Sequence, residues 1–154
     1  MGWEVGRTKI QDLIVKRELE KVPVDRAHAD RLLGQAEAHL HSSLKCVHGD
    51  VEAAYTLLYD AARKSLTALL EIQGLRPTSA GGHIAVFSAV SAQLDPPMGA
   101  AIKPFNRMRR TRITAEYPKA HDIEIFESDV MDDHVKAEAI VEMARKLIAK
   151  MPPF

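Results

Sequence analysis

Val51–Gln73 reads V-E-A-A-Y-T-L-L-Y-D-A-A-R-K-S-L-T-A-L-L-E-I-Q. Ala54, Tyr55, Leu58, Ala61, Ala62, Leu66, Leu69 and Leu70 recur at steps of three and four. That is the period of a helix with an apolar stripe; a half-buried strand would alternate in twos. Asp50 stands where an N-cap accepts the first free N–H groups, and Gly74 where a helix closes. Asp60 and Lys64 are placed for an i,i+4 pair on the outer side.

The same pattern extends to both sides. Upstream, Ala29, Leu32, Leu33, Ala36, Leu40, Leu44 and Val47 predict a helix over Asp25–Val47, closed by His48-Gly49. Residues 1–22 read as a short amphipathic leader, with Ile10, Leu13, Ile14 and Leu19 on one side, Thr8 as a cap, Trp3 as an anchor and Pro23 as the stop. Downstream, Leu75–Gly82 reads as a loop. A third helix is expected over His83–Leu94 and a fourth over Ala101–Tyr117, stopped by Pro118. His121–Ser128 reads as a packed connector. A fifth helix is expected over Val130–Lys150, with Val135, Ala139, Ile140, Met143, Leu147 and Met151 as its stripe. Amphipathic helices joined by short polar connections can bury their stripes only against one another. The expectation is an all-α, up-and-down bundle of about five helices over residues 23–151, with residues 1–22 as an N-terminal helical arm.

Composition narrows the function. Twenty-one basic and 21 acidic residues cancel, so no whole-molecule field gathers nucleic acid or membrane, and any electrostatic function is local. The single cysteine, Cys46, excludes an intrachain disulfide and fits a reducing cytosol. No apolar run reaches the ~20 residues of a membrane span, and the first residues lack a signal-peptide core, so a cytoplasmic protein is expected. The seven histidines fall on no metal-ligand spacing, and there is no Gly-rich phosphate loop. Neither metal nor cofactor is expected.

Local charge is concentrated in one place. Phe105–Pro118 reads F-N-R-M-R-R-T-R-I-T-A-E-Y-P, with four arginines in six residues. At about 100° per residue, Phe105, Met108, Arg112 and Ala115 share a side, Arg109 and Glu116 flank it, and Arg107 and Arg110 point toward solvent. A guanidinium on a core-facing stripe is costly unless paired, and Glu116 lies four residues on. Either Arg112–Glu116 is a structural ion pair, or Arg112 is held in a cleft for an anion such as a nucleic-acid phosphate. Lys103, Arg107, Arg109, Arg110 and Arg112 form a basic patch in both cases. The following segment is acidic: Asp122, Glu124, Glu127, Asp129, Asp132 and Asp133. If it folds back, it neutralises the patch.

Three parts taken together resemble a HEPN domain (higher eukaryotes and prokaryotes nucleotide-binding). They are A-x-x-L-x-Y-D-A-A-R-K-S-L-T-A-L-L at Ala54–Leu70, G-L-R-P-T-S-A-G-G-H at Gly74–His83, and the Phe105–Pro118 helix with an acidic-started helix after it. The resemblance covers about residues 25–150. It implies an all-α bundle, commonly homodimeric, with arginine helices lining a shared cleft. It also implies one of three roles: a metal-independent ribonuclease of toxin–antitoxin or phage-defence systems, a non-catalytic RNA- or nucleotide-binding module, or a partner of a nucleotidyltransferase-like protein. Active members carry Arg, a polar residue, three residues, then His. Arg112 matches the arginine, but Ile113 and Tyr117 stand where the polar residue and the histidine belong. Tyr, with a pKa near 10, substitutes poorly for His at neutral pH.

The expectation is therefore a non-catalytic module binding RNA, a nucleotide or a partner protein. Its binding residues are Lys103, Arg107, Arg109, Arg110, Arg112, Glu116 and, from another loop, His83. The alternatives are a ribonuclease toxin using Arg112 with Tyr117 or His83, and a structural or interaction protein.

Overall fold

In the computed structural model, residues 4–154 are described. The order is α1 (Arg7–Val15), β1 (Leu19–Lys21), α2 (Arg26–Cys46), α3 (Val51–Ile72), β2 (Leu75–Pro77), α4 (Gly82–Leu94), α5 (Gly99–Ile102), α6 (Pro104–Glu116) and α7 (Glu127–Leu147). The fold is an all-α bundle with one small β ribbon.

α3 is its axis, packed by α2, α4, α6 and α7. A helix covered on several sides loses the distinction between stripe and back. Tyr59, Ser65, Ala68 and Glu71 are buried along with the expected stripe. Asp25 and Asp50 cap α2 and α3 by accepting from the His28 and Ala53 N–H groups at 2.8 and 3.0 Å. The expected Asp60–Lys64 pair gives way to tertiary partners. Arg63 pairs with Asp60 at 3.4 Å, while the Lys64 ammonium meets Gln35 Oε1 and His39 Nε2 on α2 at 2.9 and 2.7 Å.

Four expectations need correction. The leader helix stops at Val15, and the chain returns as β1, antiparallel to β2, with Leu19 opposite Pro77 and Lys21 opposite Leu75. A three-residue strand is too short to show a period in sequence. Gly6, not Thr8, occupies the cap position of α1, and Trp3 lies outside the described residues. The helix expected over 101–117 is two helices, because Pro104 has no N–H to continue α5 and instead starts α6 at its first position. The last helix also faces differently. Val135 is 66 % exposed and Ala139 is exposed, while Asp133 and His134 are buried with Val130, Ala137, Ile140 and Ala144. Polar side chains with partners inside the bundle displaced the apolar pair.

The N-terminal segment packs on the body. Ile10, Leu13 and Leu19 are buried in the common core. Thr78 donates its N–H to the Glu18 carbonyl at 3.0 Å and its hydroxyl to the Arg17 carbonyl at 2.6 Å. Gly81 lies so close to the Glu18 carbonyl oxygen that a side chain there would overlap it. Among the described residues, no helix is long and apolar enough to cross a membrane.

Candidate functional site

α6 presents Phe105, Met108 and Ala115 to the core, with Arg112 on the same side. This is the orientation expected from the helical wheel. The Phe105 ring stacks between Tyr59 of α3 at 5.2 Å and Phe87 of α4 at 6.2 Å. That aromatic stack fixes α6 against both helices, and three side chains meet at its edge. The Tyr59 hydroxyl is 2.8 Å from His83 Nδ1. The Arg112 guanidinium lies over the Tyr59 ring at 5.7 Å. Arg112 Nη2 meets Glu116 Oε2 at 2.7 Å, with the arginine side chain 21 % exposed. Arg112 Nε is buried without a hydrogen-bond partner among the described residues.

Positive charge surrounds this cluster. Burial, then Arg63 and Arg112, pull the His83 pKa down to about 4, with Asp60 opposing and Arg109 adding to the pull. Burial also raises the Tyr59 pKa, against the pull of Arg63, Arg112 and Arg109. At neutral pH the cluster is thus a neutral imidazole, a protonated phenol and fixed guanidinium charge. Arg109 is half-buried beside it and donates Nε–H to Asn106 Oδ1 at 3.3 Å. Tyr59 and Arg63 were not singled out in the sequence. They sit i,i+4 in the Ala54–Leu70 run, facing a helix that sequence spacing could not place.

Tyr117 takes no part in the cluster. Its backbone has left the helix, as Pro118 requires, and the residue is 67 % exposed. Ile113 is also exposed. His83, read as reaching the site from another loop, is the histidine that shares Tyr59 with Arg112.

Arg107 is exposed, as the wheel expects, but it is also paired. It turns onto α7 and donates Nη1 and Nη2 to the two carboxylate oxygens of Asp133 at 3.0 and 2.6 Å. The Tyr55 hydroxyl donates to the same carboxylate at 2.7 Å, and Lys136 Nζ is 3.4 Å away. Burial works against the charged Asp133, yet the hydrogen bonds from Arg107 and Tyr55 hold its pKa below the usual value. Asp122, Glu124 and Asp129 line a cavity of about 340 Å³ with Arg107 and Arg110. The acidic segment therefore folds back over Arg107 and Arg110. The ion pair that Arg112 makes is with Glu116 of its own helix. Lys103 and Arg110 are exposed on the flank of α6 away from Arg112.

A family model described as HEPN domain matches residues 29–151. The chain belongs to the HEPN domain family. No curated protein and no solved structure matches it. The matched span includes α3, α4, α6 and α7, so every member of the Tyr59–His83–Arg112 cluster lies inside the HEPN domain, and α1 and β1 lie outside it. In this HEPN domain the histidine beside the arginine helix comes from the start of α4.

Proposed function

We propose that this HEPN domain is a non-catalytic module that binds RNA by its phosphates along the Arg112 face of α6. One observation carries the reading. Arg112 is fixed by Tyr59 and Glu116, and its side chain remains 21 % exposed. A guanidinium held in place with part of its surface open suits a phosphate oxygen. Arg109 and Arg63 add charge nearby, and a neutral His83 adds a hydrogen-bonding edge without competing charge. An imidazole with a pKa near 4 is a weak base at neutral pH, which argues against proton transfer there.

The test is binding of a short single-stranded RNA by fluorescence anisotropy at two salt concentrations. Arg109→Ala and Arg112→Ala are each expected to weaken binding. Each should also lower the salt slope by about 0.7, the value per phosphate contact on a single strand. Undiminished binding in both variants would refute the reading.

The Tyr59–His83 hydrogen bond favours a second reading, a metal-independent ribonuclease in which His83 replaces the histidine absent at Tyr117. Cleavage of RNA in the presence of a chelator, lost in His83→Ala, would establish it. A second copy of the chain completes the cleft in either case. Ile84 beside His83, and Ile113 beside Arg112, are exposed apolar residues suited to such a contact. Sedimentation of the purified chain as a monomer at all concentrations would remove that element.

A further inference from the structure

Leu44, Val135 and Ala139 stand at the period of a core stripe, yet all three are exposed. Leu44 lies on α2 and the other two on α7, and these helices run antiparallel. At one end Arg26 donates to the Ile148 carbonyl at 3.4 Å, and at the other His48 meets Glu127 at 3.1 Å. Between those ends lies a groove of about 260 Å³. Leu40, Leu44 and Val141 give it apolar walls, and Glu37, Glu138 and Glu142 stand along it. Arg145 pairs with Glu37 and Glu142, while Glu138 has no ion pair among the described residues. Negative charge therefore prevails in the groove. Met131, Val135 and Ala139 follow one another at i,i+4 spacing on the exposed side of α7, which makes an apolar ridge beside it. Apolar residues grouped in this way mark a contact surface; single scattered ones do not.

We propose that this groove docks a basic amphipathic helix of a partner protein. A Lys or Arg side chain fits it. The aliphatic stem lies on Leu40, Leu44 and Val141, and the cationic head reaches Glu138. Apolar residues a turn or two along the same helix pack on Val135 and Met131. Charge decides the occupant. A second copy of this chain would bring the same carboxylates to the contact, where like charges repel, whereas a basic helix complements them. None of these residues belongs to the Tyr59–His83–Arg112 cluster, so the docking site does not depend on the reading of that face.

Fluorescence anisotropy of two labelled peptides against the full chain tests this. The first is about four turns of helix with leucines on one side and arginines flanking them. The second carries glutamates in place of the arginines. The basic peptide should bind and the acidic one should not. The double variant Glu138→Lys/Glu142→Lys should weaken the basic peptide about tenfold or more and gain binding of the acidic one. Val135→Ser should also weaken the basic peptide. All three side chains are exposed, so circular dichroism should show the fold unchanged in both variants. Equal binding of the two peptides by the native chain overturns the proposal, as does undiminished affinity for the basic peptide in both variants. A dimer in sedimentation that Val135→Asp abolishes also overturns it, because the surface then belongs to a second copy.

Discussion

His83 is where composition, position and chemistry separate most clearly. In sequence it opens a helix, a place where polar side chains are ordinary. In the fold it is half-buried against Tyr59, in the field of Arg63 and Arg112. The folded imidazole takes a proton only near pH 4, whereas the unfolded one does so near 6.5. Between those values the unfolded chain binds more protons, so stability is complete above about pH 6.5 and falls as pH drops toward 4. His83→Gln keeps a polar partner for Tyr59 and removes the titration. Urea unfolding at about pH 7 and about pH 5 should show a larger loss of stability in the native chain than in the variant. Equal losses would mean that the imidazole is not held neutral. Asp133 titrates in a lower window, because Arg107 and Tyr55 outweigh its burial and hold its pKa below the ordinary value.

At the scale of elements, helices were legible wherever caps and period agreed. α2 and α3 begin and end within a residue or so of the expected places because Asp25, Asp50 and Gly74 are local signals. The break before Pro104 had a local signal, the missing N–H of a proline, but the expected helix ran through it. The β1–β2 ribbon was not, since its strands are three residues each and each is completed by a distant partner. Two glycines test this distinction. Gly81→Ala would push a methyl group into the Glu18 carbonyl and part β1 from the start of α4. A loss of about 1–3 kcal/mol is expected, each kcal/mol lowering Tm by roughly 2–4 °C. Gly34, exposed on α2 with nothing near its Cβ position, should gain up to about 1 kcal/mol as Gly34→Ala. Thermal melts moving the same way in both variants would contradict the packing at Gly81.

For the whole molecule, the question is what the first 22 residues contribute. Ile10, Leu13 and Leu19 are buried in the same core as α3. Each buried aliphatic side chain contributes about 1.5–3 kcal/mol, and a domain's net stability is only about 5–15 kcal/mol. Deleting residues 1–22 should therefore remove most of the cooperative unfolding transition, as read by circular dichroism. A truncated chain melting with unchanged cooperativity and midpoint would show instead that the segment is an appendage. The zero net charge also has a consequence at this scale. With no long-range field, binding at α6 depends on short-range contacts, so single arginine substitutions should change dissociation more than association.

The sequence by itself determined the helical class, the main helix boundaries and the inward side of the arginine helix. These follow from periodicity, capping and proline, which act within a turn or two of chain. It also carried the resemblance that the family match bears out. Tertiary structure alone decided which charges meet. Arg107 found Asp133, Lys64 left Asp60 for α2, Val135 and Ala139 yielded the inner face of α7, and His83 came to share Tyr59 with Arg112. Each outcome depends on which helix lies across from the residue. An ion pair or a buried imidazole is stabilised by partners far away in the chain, and no local pattern records them.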